Sequence, residues 1–463
     1  MNNSFLWGVA SSALQIEGST DREESIWDAF AKIPNTIKNG DNFDIACDHY
    51  NRYEEDIKLI ADMGIKNYRF SISWCRIIKY PSREINQKGI DFYNNVINCL
   101  IKYKITPIVT IYHWDEPQYL FIKYNSWLNK EVMINEYMGF ANILFIHFGD
   151  RVKHWITFNE PWCSAMLGYN TGVFAPGLTS YDSSKGFIVA HNILLAHAKT
   201  VQMYKRDFKF QKGIIGITLN SGFSFAKYDS NPIQNQLNRD AAQRALIFSL
   251  GWFADPIYFG DYPDLLKEKF KGIIPEFTDE EKLLIKDSSD FFGLNTYTSD
   301  IIEHSTEVGK IDDWGNKINC SIYDILQIKS TTDPLWELSD LDWPIVPDGF
   351  KQLLLWINDR YKPRGGIYIT ENGIACKEDT DEDAIYDINR SYYLDSYIDA
   401  MKEAIDENVN VRAYMVWTIL DNVEWVWGRT KRFGLISVDY ETQKRTIKNS
   451  FRWFSDFINK KHN

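Results

Sequence analysis

Hydrophobic positions divide the chain into short β-rich runs separated by longer amphipathic stretches. The short apolar runs predict eight strands: Leu6–Ala10, Asn67–Ile72, Thr106–Tyr112, His154–Phe158, Ile214–Leu219, Phe291–Thr296, Gly366–Thr370 and Ala413–Thr418. Apolar residues spaced for one helix face predict helices between them, including Tyr53–Met63, Lys88–Tyr103, Glu131–Phe148, Gly186–Tyr204, Asn238–Trp252 and Tyr393–Glu407. Strands that alternate with helices pair in parallel.

This order favours an α/β fold, a single (β/α)8 barrel with extended βα loops over residues 1–463. No Gly-x-Gly-x-x-Gly follows the first strand, so a doubly wound dinucleotide-binding sheet is less well supported. The longest irregular stretch, Ser299–Pro347 after strand six, is expected to wall the mouth of an active site, because long loops are usually functional. A tolerated surface insertion is the alternative.

Two glutamates stand at the ends of predicted strands. His154–Phe158 leads into Asn159 and Glu160, and Gly366–Thr370 leads into Glu371. In barrels, catalytic residues lie at the carboxyl ends of the strands. Two carboxyl groups that face each other can cut a glycosidic bond, one as acid and the other as nucleophile or base. Either glutamate alone could instead cap a neighbouring helix.

Composition narrows the possible partners. The chain has 51 Lys and Arg against 63 Asp and Glu, with no long basic cluster, so nucleic acid is not an expected partner. No apolar run reaches membrane-spanning length, and no basic signal-peptide region opens the chain. The six cysteines form no Cys-x-x-Cys pair, so a zinc or redox site has little support. Disulfides are an alternative, but scattered cysteines in a large chain fit a reducing compartment better, and we expect a cytoplasmic protein. The 16 Trp are consistent with core packing or with sugar binding.

Seven motifs in order make the sequence resemble family 1 of the glycoside hydrolases, the β-glucosidase family. The resemblance extends from Phe5 to about Trp453. It rests on these segments: Phe5–Ala10 through Gln15–Gly18, Tyr68–Trp74, His113–Asp115, Thr157–Pro161, Asn295 with Tyr297, Ile369–Gly373, and Trp417 through Glu424-Trp425. One such motif would be weak evidence, whereas seven in the family order are specific.

The resemblance implies a retaining mechanism with two catalytic residues. Glu371 would be the nucleophile, and Glu160 would be first the acid and then the base. These roles require carboxyl groups about 5–5.5 Å apart. Arg69 and Tyr297 would orient and ionise the nucleophile, although Arg69 alone could be an ordinary barrel ion pair.

The resemblance also implies a sugar-binding set around this pair. Asn159 would donate to the sugar 2-hydroxyl, Asn295 would support the nucleophile, Trp417 would stack on the ring, and Trp343 would form the platform for the leaving group. Other hydroxyl groups would be bound by the remaining set: Gln15, His113, Trp114, Glu424 and Trp425. Outside its motif His113 would more often be a core histidine, and the tryptophans could be core residues, as we expect for Trp427 and Trp453.

The expected substrate is a neutral β-glucoside or short oligosaccharide, with tolerance of β-galactosides and β-fucosides and a role in cellulose degradation. A 6-phospho-β-glycosidase is the alternative. The phosphate-binding positions of that branch read Glu424, Lys431 and Phe433 here, one match of three, and a carboxylate would repel a phosphate. Glu116 and Tyr119 depart from the family pattern and are expected to alter the mouth of the site or the residues behind it.

Two other classes of function remain. A non-catalytic sugar-binding barrel is disfavoured because both Glu160 and Glu371 are present. A metal-dependent barrel hydrolase would need converging His and Asp residues, but only His113 and His154 lie near strands. We therefore expect no metal and no cofactor. The sequence predicts no oligomeric state.

Overall fold

The protein folds as a closed barrel of parallel strands, seen in a computed structural model that describes residues 5–180, 183–306, 321–378 and 380–460. Within these residues eight strands close the barrel. In chain order they are β1 (Leu6–Ala10), β2 (Asn67–Ser71), β3 (Thr106–Tyr112), β4 (His154–Asn159), β5 (Ile214–Asn220), β6 (Phe292–Asn295), β7 (Ile367–Asn372) and β8 (Val411–Trp417). Each strand pairs in parallel with its neighbours in sequence, and β1 closes the barrel on β8.

A long helix follows each barrel strand and packs outside the barrel. These helices are α1 (His49–Asp62), α2 (Gln87–Lys102), α3 (Lys130–Phe148), α4 (Ser184–Asp207), α5 (Pro232–Leu246), α6 (Pro347–Tyr361), α7 (Ile388–Asp406) and α8 (Asn449–Lys460). The predicted (β/α)8 barrel is therefore confirmed, with strand ends shifted by one or two residues. Two helices, α6 and α8, were not among the runs identified from the sequence.

Short helices and hairpins lie in the loops between the barrel strands and the long helices. The helical ones are Ala13–Glu17, Ile26–Ala31, Lys38–Gly40, Trp74–Ile77, Gln118–Tyr124, Ser126–Leu128, Cys163–Gly168, Lys209–Gln211, Ile247–Gly251, Trp252–Phe259, Asp264–Lys269, Asp279–Ile285, Ile322–Ile325, Asp381–Ile385 and Trp425–Thr430. Two hairpins pair Ile78–Lys79 with Glu84–Ile85 and Ile436–Val438 with Arg445–Ile447. The predicted helix Asn238–Trp252 is interrupted, because a π-helical turn at Ile247–Gly251 ends α5.

The segment after β6 is more regular than the sequence indicated. Ser299–His304 pairs in parallel with Phe223–Ala226 and antiparallel with Ile328–Thr331, which makes a three-stranded side sheet. Residues 307–320 of the predicted loop lie outside the described residues. The three strands of this sheet come from distant parts of the chain. Strands that depend on such long-range pairing have only a weak pattern of hydrophobic residues in the local sequence.

Two clusters of buried hydrophobic residues stabilise the barrel. The larger cluster fills the space between strands and helices, and its largest members include Trp74, Trp155 and Trp252. A smaller cluster includes Ile108, Ile156 and Met415, contributed by β3, β4 and β8. Successive side chains of a strand point to opposite faces, so this smaller cluster is the packed barrel interior.

Barrel closure depends on a close approach at Gly8 in β1. Gly8 is opposite Met415 of β8 and Asn67 of β2. A Cβ atom at Gly8 would lie 2.5 Å from the Asn67 carbonyl oxygen and closer still to the Met415 Sδ. The Asn67 oxygen belongs to the backbone of β2 and cannot withdraw without disturbing a strand pair, whereas the Met415 Sδ ends a flexible side chain that can move aside.

Gly8→Ala is therefore expected to reduce the free energy of unfolding by about 1–3 kcal/mol, the usual cost of overpacking. The matched control is Gly139→Ala, in the exposed face of α3, where an added Cβ has nothing within 4 Å. It should raise stability by roughly 0.5–1 kcal/mol, because alanine favours the helix. Denaturant unfolding followed by circular dichroism measures both. Equal stability of Gly8→Ala and the unmutated protein would contradict this account of closure.

Candidate active site

The polar strand ends meet at one cavity of about 530 Å³. Both candidate catalytic residues, Glu160 after β4 and Glu371 within β7, line it. Parallel strands all end on the same face of a barrel, which is why residues more than 200 positions apart in sequence converge here. Nine other residues predicted for the site also line the cavity: His113, Trp114, Asn159, Asn295, Tyr297, Trp343, Trp417, Glu424 and Trp425.

Glu371 is held by a cation and a phenol. The Arg69 guanidinium donates from Nη1 to Glu371 Oε1, and the Tyr297 hydroxyl donates to Glu371 Oε2 at 2.5 Å. Burial raises the pKa of Glu371 above its ordinary value, although the charge of Arg69 and the Tyr297 hydrogen bond oppose this rise. Each carboxylate oxygen thus accepts a hydrogen bond that favours the ionised form, and the ion pair with Arg69 is almost completely buried.

Glu160 has a different environment. Asn295 Nδ2 donates to Glu160 Oε1 at 2.6 Å, and the Cys163 thiol donates to Glu160 Oε2 at 3.1 Å. Among the described residues it forms no salt bridge. Burial, followed by the negative charge of Glu371, raises the pKa of Glu160 to about 7. One carboxyl group therefore faces a cation while the other faces neutral donors, which is the asymmetry that an acid and a nucleophile need.

Asn159 connects the two carboxyl groups. Its Oδ1 accepts from Arg69 Nη2 at 2.6 Å and from Asn295 Nδ2 at 3.0 Å. Its Nδ2 lies 3.2 Å from His113 Nε2. Burial, together with the charge of Arg69, lowers the pKa of His113 well below its ordinary value, so the imidazole is neutral. A neutral ring suits the binding of uncharged hydroxyl groups.

A second polar group surrounds Glu424. Gln15 Nε2 donates to Glu424 Oε2 at 3.2 Å and to Asn422 Oδ1 at 3.0 Å. Burial and then the charge of Glu371 raise the pKa of Glu424 to about 8. Gln15 itself is fully buried and is not part of the cavity lining, so the structure places it behind Glu424. Its direct contact with a sugar stays a prediction.

Tryptophan rings form much of the cavity wall. The rings of Trp417 and Trp425 lie nearly parallel to that of His113, with centroids 5.9 and 5.8 Å away. Trp114 donates from Nε1 to the Asn159 carbonyl oxygen at 2.8 Å. Glu160, Trp114 and Trp425 all have positive φ, at 46°, 72° and 47°. Such conformations are strained for large side chains and cluster at functional sites.

The cavity wall also includes Trp343, which is half-buried. Its ring centroid lies 5.6 Å from that of Tyr297 and 6.5 Å from that of Trp427. Trp427 packs against the core but is only half-buried and lines the cavity, so the core interpretation holds only in part. Trp453 is also only partly buried, on the outside of the core. Trp427 belongs to the loop after β8 that borders the cavity, and no local sequence pattern indicates how such a loop packs.

Sequence reasoning missed two residues that support the catalytic pair. Cys163 follows Glu160 by three positions, a spacing of about one helical turn that could have indicated its contact with Glu160. Thr370 donates to Asn295 Oδ1 at 2.7 Å and so fixes the amide orientation that presents Nδ2 to Glu160. Thr370 had been noted only as the end of a strand.

Two departures from the family pattern lie behind the wall. Glu116 is fully buried and accepts hydrogen bonds from Trp127 Nε1 at 2.7 Å and from the Tyr169 hydroxyl at 3.1 Å. The Ser126 and Tyr112 hydroxyls also donate to it. Tyr119 stacks on Tyr80 at 5.7 Å and does not line the cavity.

In the part of the chain that the structure describes, no group of three or more His, Cys, Asp or Glu side chains is arranged to hold a metal ion. No described helix combines the length and the apolar character needed to cross a membrane.

Comparisons with known proteins agree on one family. The family model described as Glycosyl hydrolase family 1 matches residues 1–463. The chain is 43% identical to Beta-glucosidase 1B of Phanerodontia chrysosporium, with 98% of this chain and 85% of that protein aligned. It is 40% identical to the 1,4-beta-D-glucan glucohydrolase of Thermotoga neapolitana, over 98% and 97% of the two chains. A rice β-glucosidase mutant, solved in a covalent complex with Glc, superposes with a TM-score of 0.92 at 36% identity, covering 98% of each chain.

The electrostatic coupling of the two glutamates is testable. Glu371→Gln removes the negative charge that helps to raise the pKa of Glu160, so this pKa is expected to fall below about 7. Infrared difference titration of the Glu160 carboxyl group measures it. Glu136→Gln is the control, because Glu136 bonds Tyr80 and Arg83 away from the cavity and should leave the titration unchanged. An unchanged or higher pKa in Glu371→Gln would contradict the coupling.

Proposed function

The chain belongs to glycosyl hydrolase family 1, and we propose that it is a retaining β-glucosidase with Glu371 as nucleophile and Glu160 as acid and base. It removes terminal non-reducing β-D-glucosyl residues by double displacement. The observation that carries the assignment is the asymmetry of the pair: Arg69 and Tyr297 bond Glu371, whereas Glu160 accepts from Asn295 and Cys163. The required carboxyl separation of about 5–5.5 Å is part of this proposal.

The first displacement breaks the glycosidic bond. The ionised Glu371 attacks the anomeric carbon while Glu160 transfers its proton to the departing oxygen. Glu160 has a pKa of about 7, so much of it is protonated at neutral pH. The positive charge of Arg69 favours the ionised form of Glu371. Its orientation is fixed because one Nη atom bonds Glu371 and the other bonds Asn159.

The second displacement uses the same residues with exchanged protonation. Once Glu371 is esterified to the sugar, the charge that helped to raise the pKa of Glu160 is gone. Glu160 then ionises more readily and removes a proton from the incoming water, which attacks the anomeric carbon and releases Glu371. Two inversions at that carbon retain the β configuration.

Neutral sugars fit the glycone side best. His113 is uncharged, and Glu424 is a carboxyl group that can donate or accept a hydrogen bond near neutral pH. Lys431, the one match to the phosphate-binding branch, is paired with Asp340 Oδ2 at 3.0 Å. We therefore favour unphosphorylated β-D-glucosides, with β-galactosides and β-fucosides tolerated. The 6-phospho-β-glycosidase alternative is not favoured.

The cellular setting is also a proposal. The five cysteines in the described residues, Cys47, Cys75, Cys99, Cys163 and Cys376, are all free thiols. Free thiols in a chain of this size suit a reducing compartment, so we infer a cytoplasmic enzyme. The 1,4-beta-D-glucan glucohydrolase relative supports short oligosaccharides from cellulose as substrates.

Exogenous azide distinguishes the two catalytic roles. Glu371→Gly is expected to abolish hydrolysis, and azide should restore reaction to give the α-glucosyl azide, because azide enters from the face that the nucleophile has vacated. Glu160→Ala should spare substrates with activated leaving groups, and azide should then give the β-glucosyl azide. Each variant is the control for the other, and NMR of the products identifies the anomer. Exchanged products would reverse the assignment.

A substrate pair tests the neutral glycone pocket. The kcat/KM for 4-nitrophenyl β-glucoside should exceed that for its 6-phosphate by about a hundredfold or more, because the phosphate would lose its water beside the buried Glu424 carboxyl group and the neutral His113, and burying an unpaired charge is costly. Glu424→Ser should narrow the gap by removing the carboxyl group. Faster turnover of the phosphorylated substrate by the unmutated enzyme would refute the neutral specificity.

A further inference from the structure

Glu116 is a buried carboxylate whose described partners are all neutral. It has no exposed surface, and among the described residues it forms no salt bridge. The hydroxyls of Ser126 and Tyr169 donate to its Oε1. The Tyr112 hydroxyl and Trp127 Nε1 donate to its Oε2. Burial raises the pKa of Glu116, although these hydrogen bonds oppose the rise. Each oxygen thus accepts two hydrogen bonds, which uses the four acceptor positions of a carboxylate.

The donors to Glu116 come from separate segments of the chain. Tyr112 ends β3, and Trp127 lies in the short helix that comes next but one along the chain. Tyr169, 53 positions away from Glu116, directly follows the π-helical turn Cys163–Gly168. Tyrosine and tryptophan side chains have only two rotatable bonds, so holding their polar ends restrains the backbone that carries them. Glu116 is therefore a common anchor for these segments.

The turn that ends at Tyr169 begins at Glu160. The Cys163 backbone N–H donates to the Glu160 carbonyl oxygen at 3.0 Å, and the Cys163 thiol donates to the Glu160 carboxyl group at 3.1 Å. At the other end, the Tyr169 N–H donates to the carbonyl oxygens of Ala165 and Met166. Glu160 has a positive φ of 46°, a strained conformation that its surroundings must hold. The position of Tyr169 therefore helps to determine the orientation of Glu160.

The same tyrosines lie directly behind the cavity wall. Tyr112 and Tyr169 line a narrow gap together with Trp114 and Cys163. Trp114 and Cys163 also line the active-site cavity, whereas Glu116 lines neither space. Glu116 thus holds two rings that pack behind the residues that face the substrate, and it has no direct access to the substrate itself.

We propose that Glu116 is a positioning residue for Glu160. By accepting the Tyr169 hydroxyl, Glu116 fixes the end of the turn that begins at Glu160 and carries Cys163. The turn in turn fixes the direction in which the Glu160 carboxyl group presents its proton. The inference rests on the proposed role of Glu160 as acid and base, and adds a residue that acts on it from behind the wall.

The hydrogen bonds of Glu116, and not its charge, carry this role. Glu116→Leu has a similar size but accepts nothing, so four buried donors lose a partner. Glu116→Gln can present its amide oxygen to Trp127, which only donates. Its amide nitrogen can then donate to the hydroxyls of Ser126 and Tyr169, which accept as well as donate. The glutamine variant should therefore keep the network, and the leucine variant should lose it.

The leaving group shows whether Glu160 is still in position. Phenyl β-glucoside needs a proton from Glu160, whereas 2,4-dinitrophenyl β-glucoside departs without one. Glu116→Leu should lower kcat/KM for the phenyl substrate about tenfold, because a small displacement of a catalytic group is costly. For the dinitrophenyl substrate it should stay within about twofold, and Glu116→Gln should stay within about twofold for both. An equal fall for both substrates in Glu116→Leu, or an equal loss in Glu116→Gln, would overturn the proposal.

Two tyrosine variants form a matched pair that tests the same point if Glu116→Leu does not fold. Tyr169→Phe removes one hydrogen bond to Glu116 at the end of the turn and keeps the ring. It should lower kcat/KM for phenyl β-glucoside about threefold and leave the dinitrophenyl substrate unchanged. Tyr112→Phe removes a hydroxyl from the other oxygen of Glu116, but at the end of β3. It should leave the ratio of the two substrates unchanged, and the same ratio in both variants would refute the positioning role.

Glu160→Ala separates this inference from the catalytic assignment. It should lower kcat/KM for phenyl β-glucoside far more than for the dinitrophenyl substrate, because the proton donor is removed outright. If it lowered both equally, the proposed role of Glu160 would fail, and the positioning role with it. If Glu160→Ala distinguished the two substrates but Glu116→Leu and Tyr169→Phe did not, only the positioning role of Glu116 would fail.

Discussion

The buried guanidinium of Arg69 is the constraint on which the site depends. Arg69 is completely buried within β2, and its three nitrogens donate to Glu371, to Asn159 and to Thr110 Oγ1. A buried charge without a partner is strongly destabilising, so the fold must deliver an anion to this position. Glu371 on β7 is that anion. The same ion pair therefore helps to close the barrel interior and favours the ionised form of Glu371, the proposed nucleophile.

This single cation makes two glutamates in one cavity chemically different. Only one carboxyl group can occupy the position beside the guanidinium, and the other must be stabilised by neutral donors and by its own proton. Asn159 and Asn295 link the two glutamates by hydrogen bonds. Asn295 Nδ2 donates to Glu160 and also to Asn159 Oδ1, and Arg69 donates to the same Asn159 oxygen. Burial raises the pKa of both glutamates, but only Glu371 has an ion pair to oppose it.

Much of this architecture could be predicted from sequence, for identifiable reasons. The alternation of strands and helices predicted the barrel, because buried parallel strands are short and almost entirely apolar runs. The two glutamates could be recognised because each lies directly after such a run or within one residue of its end. The side sheet could not be predicted, since Phe223–Ala226 and Ser299–His304 pair across more than 70 residues. The exposure of Trp427 and the position of Gln15 behind Glu424 depend on how loops pack over the mouth. The hydrophobic pattern of the local sequence does not predict that packing.

The stereochemistry of the first product tests the central claim most directly, because it depends on how close the two carboxyl groups lie. Proton NMR can follow the anomeric signals during hydrolysis of an aryl β-glucoside, before mutarotation mixes the anomers. If Glu371 is the nucleophile, β-glucose should appear first and α-glucose only later. Initial release of α-glucose would show a single inverting displacement, with carboxyl groups roughly 6.5–9.5 Å apart, and would contradict the assignment of Glu371 as nucleophile.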